Sequence, residues 1–240
     1  MTKLTLPVYI STNDKHTECL KVFTELYKKF WKGEKFNVLG YTPLDVGELG
    51  TFHSMGEQGT VQEWSTDLRQ YFEKIEDDFF IYGTEDCAFT DYADIKWINQ
   101  LAKIIQKDPS VGRINLVNPC DREGYTIDNN PHYKAERVDD YGEGKLYKLT
   151  KESGYAITAQ ISIWRKEFFL KYCQPNLSPW DFELKGSTKW ASNEDFSVLL
   201  VYNDRYPVQR VEAYAASRGW ENKEAWIDSI SEPLKKELKL

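Results

Sequence analysis

The sequence predicts an α/β protein, a mixed, mainly parallel sheet flanked by helices. Three observations lead there. Short apolar, β-branched runs alternate with helix-period segments over the first ~120 residues. The run Asp78 to Gly83 (DFFIYG) is as apolar as a central parallel strand, buried on both faces, has to be. After a polar excursion, further strand-like runs follow, broken by a helical segment.

Taken in order, Leu6 to Thr12 (LPVYIST) reads as a buried strand, and Asn13-Asp14 supplies a turn and a helix cap. From Lys15 to Trp31, the residues Leu20, Phe23, Tyr27, Phe30 and Trp31 fall at helical spacing with a charged face opposite, and Lys32-Gly33 ends the helix. Phe36 to Tyr41 reads as a second strand. Thr42 to Thr60 holds Pro43, Gly47, Gly50, Gly56 and Gly59 with little periodicity and reads as a loop. Val61, Trp64, Leu68, Tyr71, Phe72 and Ile75 mark a second helix, the Asp78 run a third strand, Ala93 to Gln106 a third helix and Arg113 to Val117 a fourth strand. This alternation also predicts ligands at the carboxyl ends of the strands.

In the second half, Pro119 to Gly144 is polar and acidic and reads as an excursion. Leu146 to Leu149, Ala156 to Trp164 and Val198 to Tyr202 read as strands, and Arg165 to Tyr172 as a helix. Ser178 to Ser187 reads as a loop, and Pro207 to Gly219 and Glu224 to Leu238 as weak helices. With no repeat and no linker, residues 1–240 are expected to form one domain, with a ligand-binding half at 1–120 and a second half at 121–240.

Composition excludes several classes. The net charge is −7 with no basic block, which argues against nucleic-acid binding. No apolar run approaches the ~20 residues of a bilayer span. The four cysteines, Cys19, Cys87, Cys120 and Cys173, lack metal-site spacing, and the opening MTKLTLPVYIS lacks a signal-peptide core. Four reduced thiols in a cytoplasmic protein are expected. Aromatic residues make up 15% of the chain, which suits either stacking on sugars and bases or a core filled with rings.

Glycine-rich phosphate motifs are missing, and His16, His53 and His132 are the only histidines. The chemistry-bearing candidates are acidic. Thr84-Glu85-Asp86 follows the apolar third strand directly. Adjacent carboxylates repel unless a cation or hydrogen-bond donors neutralise them, so the turn is either a site for a hard divalent cation or a solvated acidic turn with Asp86 as a cap. Trp180-Asp181-Phe182-Glu183 sets two acids beside aromatic rings, as binding a sugar hydroxyl and removing its proton would require, or as a loop whose Trp plugs the core edge. Gln160, Ser162 and Trp164 share one strand face, lining a pocket or pairing with neighbours. Asn193-Glu194-Asp195 reads as a helix N-terminal cap.

In this order and spacing, VYISTNDKH, FFIYGTEDCAFTD, QISIWRKEFF and SPWDFELKGS resemble the GT-A-type glycosyltransferases, and within them the small soluble glycosyltransferase-like proteins of bacterial and viral sugar-coat clusters. The resemblance spans about residues 6–190. It implies transfer of a sugar from a nucleoside-diphosphate sugar to a glycan or other hydroxyl acceptor. The donor would lie over Ile10 to Asp14, touching Ser11, Thr12 and Asp14, and over Glu85 and Asp86. These two acids would hold a divalent metal, Mn2+ or Mg2+, although Thr84 stands where the family's Asp-x-Asp motif has its first Asp and no histidine follows His132. Glu183 or Asp181 would be the catalytic base, with Glu183 favoured for its longer reach, and Gln160, Ser162, Trp164 and Trp180 would bind the acceptor. Two alternatives stay open: a catalytically silent nucleotide- or carbohydrate-binding protein on the same fold, and a sugar nucleotidyltransferase. Against the latter, no Gly-rich, Lys-containing loop follows the first strand.

Overall fold

Every second residue of a strand points to the same side, and the first strand shows what this sequence does with that rule. In β1 (Val8–Ser11), Val8 and Ile10 enter one apolar core while Tyr9 enters another. The computed structural model describes residues 2–118, 126–141, 144–192, 196–202, 206–212 and 236.

The other strands are β2 (Phe36–Gly40), β3 (Gly50–Ser54), β4 (Phe79–Thr84), β5 (Cys87–Phe89), β6 (Val111–Asn115), β7 (Ala135–Tyr141), β8 (Gly144–Leu149), β9 (Ser162–Arg165), β10 (Ser197–Tyr202) and β11 (Arg210–Glu212). The helices are α1 (Thr17–Phe30), α2 (Trp64–Phe72), α3 (Ile95–Lys107), α4 (Lys166–Tyr172) and α5 (Pro179–Ser192). Nine strands form one sheet in the order β3-β2-β1-β4-β9-β6-β10-β8-β7, and β5 and β11 form a two-stranded ribbon. Only β9 and β8 run against the other strands of the large sheet. The sheet is therefore mixed and mainly parallel, as the sequence predicts.

Helices cover both faces. Leu20, Phe23 and Leu26 of α1 and Ile98, Leu101 and Ile105 of α3 share a core with Val8, Ile10, Val38 and Ile81. Leu68 and Phe72 of α2, Phe168 and Phe169 of α4, and Phe182 and Trp190 of α5 share the other with Tyr9, Phe80 and Tyr82. This second core holds much of the aromatic excess. Phe72 stacks on Phe80 at 4.4 Å and meets Phe169 at 4.7 Å.

Several expectations need correction. β3 lies inside the stretch read as a loop, and β7 inside the polar excursion. Residues 156–161 are not strand. They form a strap that leads into β9. Ser178 to Ser187 is not a loop, because Pro179 opens α5, with Ser178 capping it. Arg210–Glu212 is strand where a weak helix is expected. Residues 213–219 of that segment, most of the segment after it, Cys120 and the Asn193-Glu194-Asp195 cluster lie outside the described residues. Cys19, Cys87 and Cys173 are buried. Among the described residues, no helix is long and apolar enough to cross a membrane.

Because β9 runs backwards between β4 and β6, its amino end meets their carboxyl ends. The ends of β1, β2, β4 and β6 and the start of β9 thus line one edge of the sheet.

Candidate functional site at the carboxyl edge of the sheet

At the end of β1 the chain passes through Asn13 into a short 3-10 turn, Asp14–His16, that leads into α1. Asn13 caps this turn by accepting from the Lys15 N–H at 3.0 Å. The Asp14 carboxylate accepts from the Thr42 N–H at 3.0 Å and from its hydroxyl at 2.9 Å, tying the turn to the end of β2. His16 reaches across to the end of β4, where its Nδ1 lies 2.6 Å from Glu85 Oε1. Burial pushes the Glu85 carboxyl up, and the His16 hydrogen bond works against that rise.

The residues expected to contact the donor therefore divide. Ser11 is 1% exposed, with its hydroxyl 2.8 Å from that of Tyr82, and Thr12 is also buried. Glu85 is buried too. Asp14 is exposed, and Asp86 is partly exposed. Asp86 Oδ1 accepts from the Thr84 hydroxyl at 2.5 Å.

The second wall is built from α5 and the strap. Asp181 and Glu183, two residues apart, would share a side in an extended loop. A helix turns about 100° per residue, so they diverge. Asp181 faces outward, pairs with Lys185 at 2.9 Å and shares a hydrogen bond with the capping Ser178. Those partners hold its carboxyl below its ordinary range. Glu183, Gly186 and Ser187 share the inward face. The Ser187 hydroxyl bonds both the N–H and the carbonyl of Ile157. A Cβ on Gly186 would sit 3.0 Å from Ile157, and one on Gly83 3.1 Å from Ile161. The strap is pressed between these two glycines.

Glu183 docks on the strap through one oxygen. Its Oε1 accepts from the Thr158 hydroxyl at 2.7 Å and the Ala159 N–H at 2.9 Å. No hydrogen bond to Oε2 is found among the described residues. Burial raises the Glu183 pKa, and the bonds from Thr158 and Ala159 oppose the rise. The Asp86 charge adds to it and the Arg113 charge opposes it. Asp86 and Glu183 thus come within electrostatic reach of each other.

Beneath the strap, the guanidinium of Arg113 is fully buried. It donates to Ser162 Oγ at 3.1 and 2.7 Å and to the Ala156 carbonyl at 2.9 Å. It lies 5.1 Å from the Trp164 ring. Burial lowers its pKa to about 10, against the pull of Tyr133 and Glu183. Ser162 and Trp164 are 0% exposed and belong to this support rather than to an acceptor surface. Gln160 is partly buried, and among the described residues its Oε1 has no hydrogen-bond partner. Trp180 stands 54% exposed on the first turn of α5.

Sequence reasoning did not single out His16, Arg113 or Thr158 as site residues. Arg113 carried a signal, a lone charge at the head of the run RINLV. The others carried none, because their partners lie 69 and 25 residues away.

The strand-end acids can be tested as a cation site by their donor set. A hard cation takes oxygen lone pairs at about 2.0–2.6 Å. Glu85 Oε1 is engaged by an imidazole nitrogen, Thr84 replaces one acid, and Asp86 is the partly exposed carboxylate of the pair. Among the described residues, no group of three or more His, Cys, Asp or Glu side chains is arranged to hold a metal ion. This donor set does not fit the divalent cation implied by the resemblance.

The sequence matches no protein-family model and no curated protein. The fold does match solved structures. A mannosyltransferase from Pyrobaculum calidifontis, in complex with GDP-Man and Mn2+, superposes with a TM-score of 0.52 at 12% identity over 95% of this chain. The match spans 61% of that enzyme's chain, about three fifths of its length. A UDP-glucose pyrophosphorylase complexed with UDP-glucose superposes with a TM-score of 0.51 at 11% identity, over 96% of this chain and 100% of that one. The chain has the GT-A-like fold of nucleotide-sugar-using enzymes. One of these two is a transferase and the other a pyrophosphorylase, so the fold does not choose between the reactions.

Proposed function

We propose that the protein is a glycosyltransferase that moves a sugar from a nucleoside-diphosphate sugar to a hydroxyl acceptor, with Glu183 as general base. The observation that carries this reading is the half-anchored Glu183 carboxylate. Two donors fix Oε1, Oε2 is left to take a proton, and burial raises the pKa toward that of a useful base.

The donor lies along the ends of β1 and β4, where the exposed Asp14 and the Asp86 carboxylate accept hydroxyls. The acceptor lies against α5, with the exposed Trp180 indole as a stacking face and Gln160 Oε1 as a hydrogen-bond acceptor. The acceptor hydroxyl gives its proton to Glu183 Oε2, and its oxygen forms a bond to the anomeric carbon. The bond from that carbon to the diphosphate oxygen breaks, and its electron pair leaves with the nucleoside diphosphate. Asp181 takes no part, so Asp181→Asn is expected to transfer sugar at close to the wild-type rate.

The pyrophosphorylase likeness makes nucleotidyl transfer the reading to test against. The β1–α1 connection argues against it, since its turn holds no glycine to cradle a triphosphate. A panel of nucleoside-diphosphate sugars, assayed for nucleoside diphosphate release with and without Mn2+, should yield release with at least one donor. Pyrophosphate release from a nucleoside triphosphate and a sugar phosphate would overturn the transferase reading. Binding without turnover of either kind would leave the silent binder in its place.

A further inference from the structure

A nucleoside diphosphate docking beside strand-end acids brings like charges together, and something positive has to offset them. At the end of β4 each acid already has one oxygen engaged within the protein. Glu85 is 2% exposed, with Oε1 held 2.6 Å from His16 Nδ1. Asp86 Oδ1 is held by the Thr84 hydroxyl. A carboxylate oxygen holding an imidazole N–H at this distance is not presenting its lone pairs to a cation in the cleft.

The imidazole itself sits at the mouth of the β1 turn. Its side chain is 20% exposed, while that of Glu85 behind it is 3% exposed.

We infer that Glu85 fastens His16 rather than ligating a divalent cation, and that a nucleoside diphosphate binds at this corner against the His16 imidazole with no divalent cation. The inference deepens the proposed function and rests on its nucleotide site.

The test is calorimetric titration of the whole chain with UDP and GDP, in a chelator and then in Mn2+. The expected result is the same affinity in both for whichever nucleotide binds. His16→Gln should weaken binding about tenfold or more, as loss of a charge-assisted hydrogen bond does. Glu85→Gln, whose amide oxygen still accepts from the imidazole, should bind within a few-fold of wild type. The double variant His16→Gln/Glu85→Gln leaves no unpaired buried carboxylate and should bind as weakly as His16→Gln. Binding that appears only with Mn2+, or that Glu85→Gln abolishes, would overturn the inference and leave the transferase reading standing. No nucleotide binding in either condition would overturn both. The chelator comparison uses the wild-type chain, so it holds even if a variant fails to fold.

Discussion

Glu183→Gln is expected to lower sugar transfer by about 10²–10⁴-fold, the usual worth of a positioned general base. The amide keeps the shape of the side chain, and its oxygen can still accept from Thr158 and Ala159, so the strap and α5 stay docked. Donor affinity should hold, because the nucleotide corner lies across the cleft. The pH profile supplies a second readout. The base works only when ionised, and burial raises its pKa. The acid limb of the wild-type profile should therefore sit above the ordinary carboxylate range and vanish in the variant. Stability should move the other way. A raised folded-state pKa means that the folded chain favours the protonated acid. That contribution is fully present below the ordinary carboxylate pKa and is lost as pH rises through the folded value. Gln mimics the protonated form, so at neutral pH the variant should melt no lower than wild type. Transfer at the wild-type rate would mean that Glu183 only docks the helix.

Trp164→Ala is expected to destabilise the fold by about 3–5 kcal/mol, the range for deleting a buried ring. Such a loss lowers the thermal midpoint by roughly 10 °C in a chain of this size. The indole is 0% exposed and lies 5.2 Å from Phe169 and 5.1 Å from the Arg113 guanidinium. Its removal opens a cavity and strips a buried cation of its aromatic platform. Trp164→Phe keeps a ring and removes an indole N–H that has no partner among the described residues, so it should lose much less. Denaturant midpoints of the two variants check this. If Trp164→Ala kept wild-type stability and lost only acceptor affinity, the ring would line the acceptor site after all.

Elements with a strong local period could be read from the chain. α1 and α3 place their apolar residues on one stripe, and β1 and β4 are continuous apolar runs between turn signals. β3 was hidden because it is an edge strand with no fully buried position, so burial imprinted no alternation on it. α5 was missed although Ser178, Pro179 and Asp181 stand at cap, first-turn and third positions. Gly186 in its middle looks like a helix breaker, and only the strap packed against it gives the glycine a reason to be there. That misreading governed the site, because it left Asp181 and Glu183 on one side. The approach of Asp86 and Glu183 depends on sheet order, which no local pattern encodes. The His16–Glu85 pair was out of reach for the same reason.

The backwards strand has a consequence for how the chain folds. β4 and β6 are complete by residue 115, yet they do not touch each other, and the strand that joins them begins at Ser162. Until that segment has left the ribosome, the amino-terminal portion holds a four-stranded sheet with β4 as an open edge and a β6 that has neither of its neighbours, each a template for wrong pairing. Assembly of the sheet centre has to wait for a loop closure spanning more than seventy residues between β4 and β9. A fragment ending near residue 118 would contain β1, β2 and β4 with their turns by sequence and still lack the piece that makes them a folding unit.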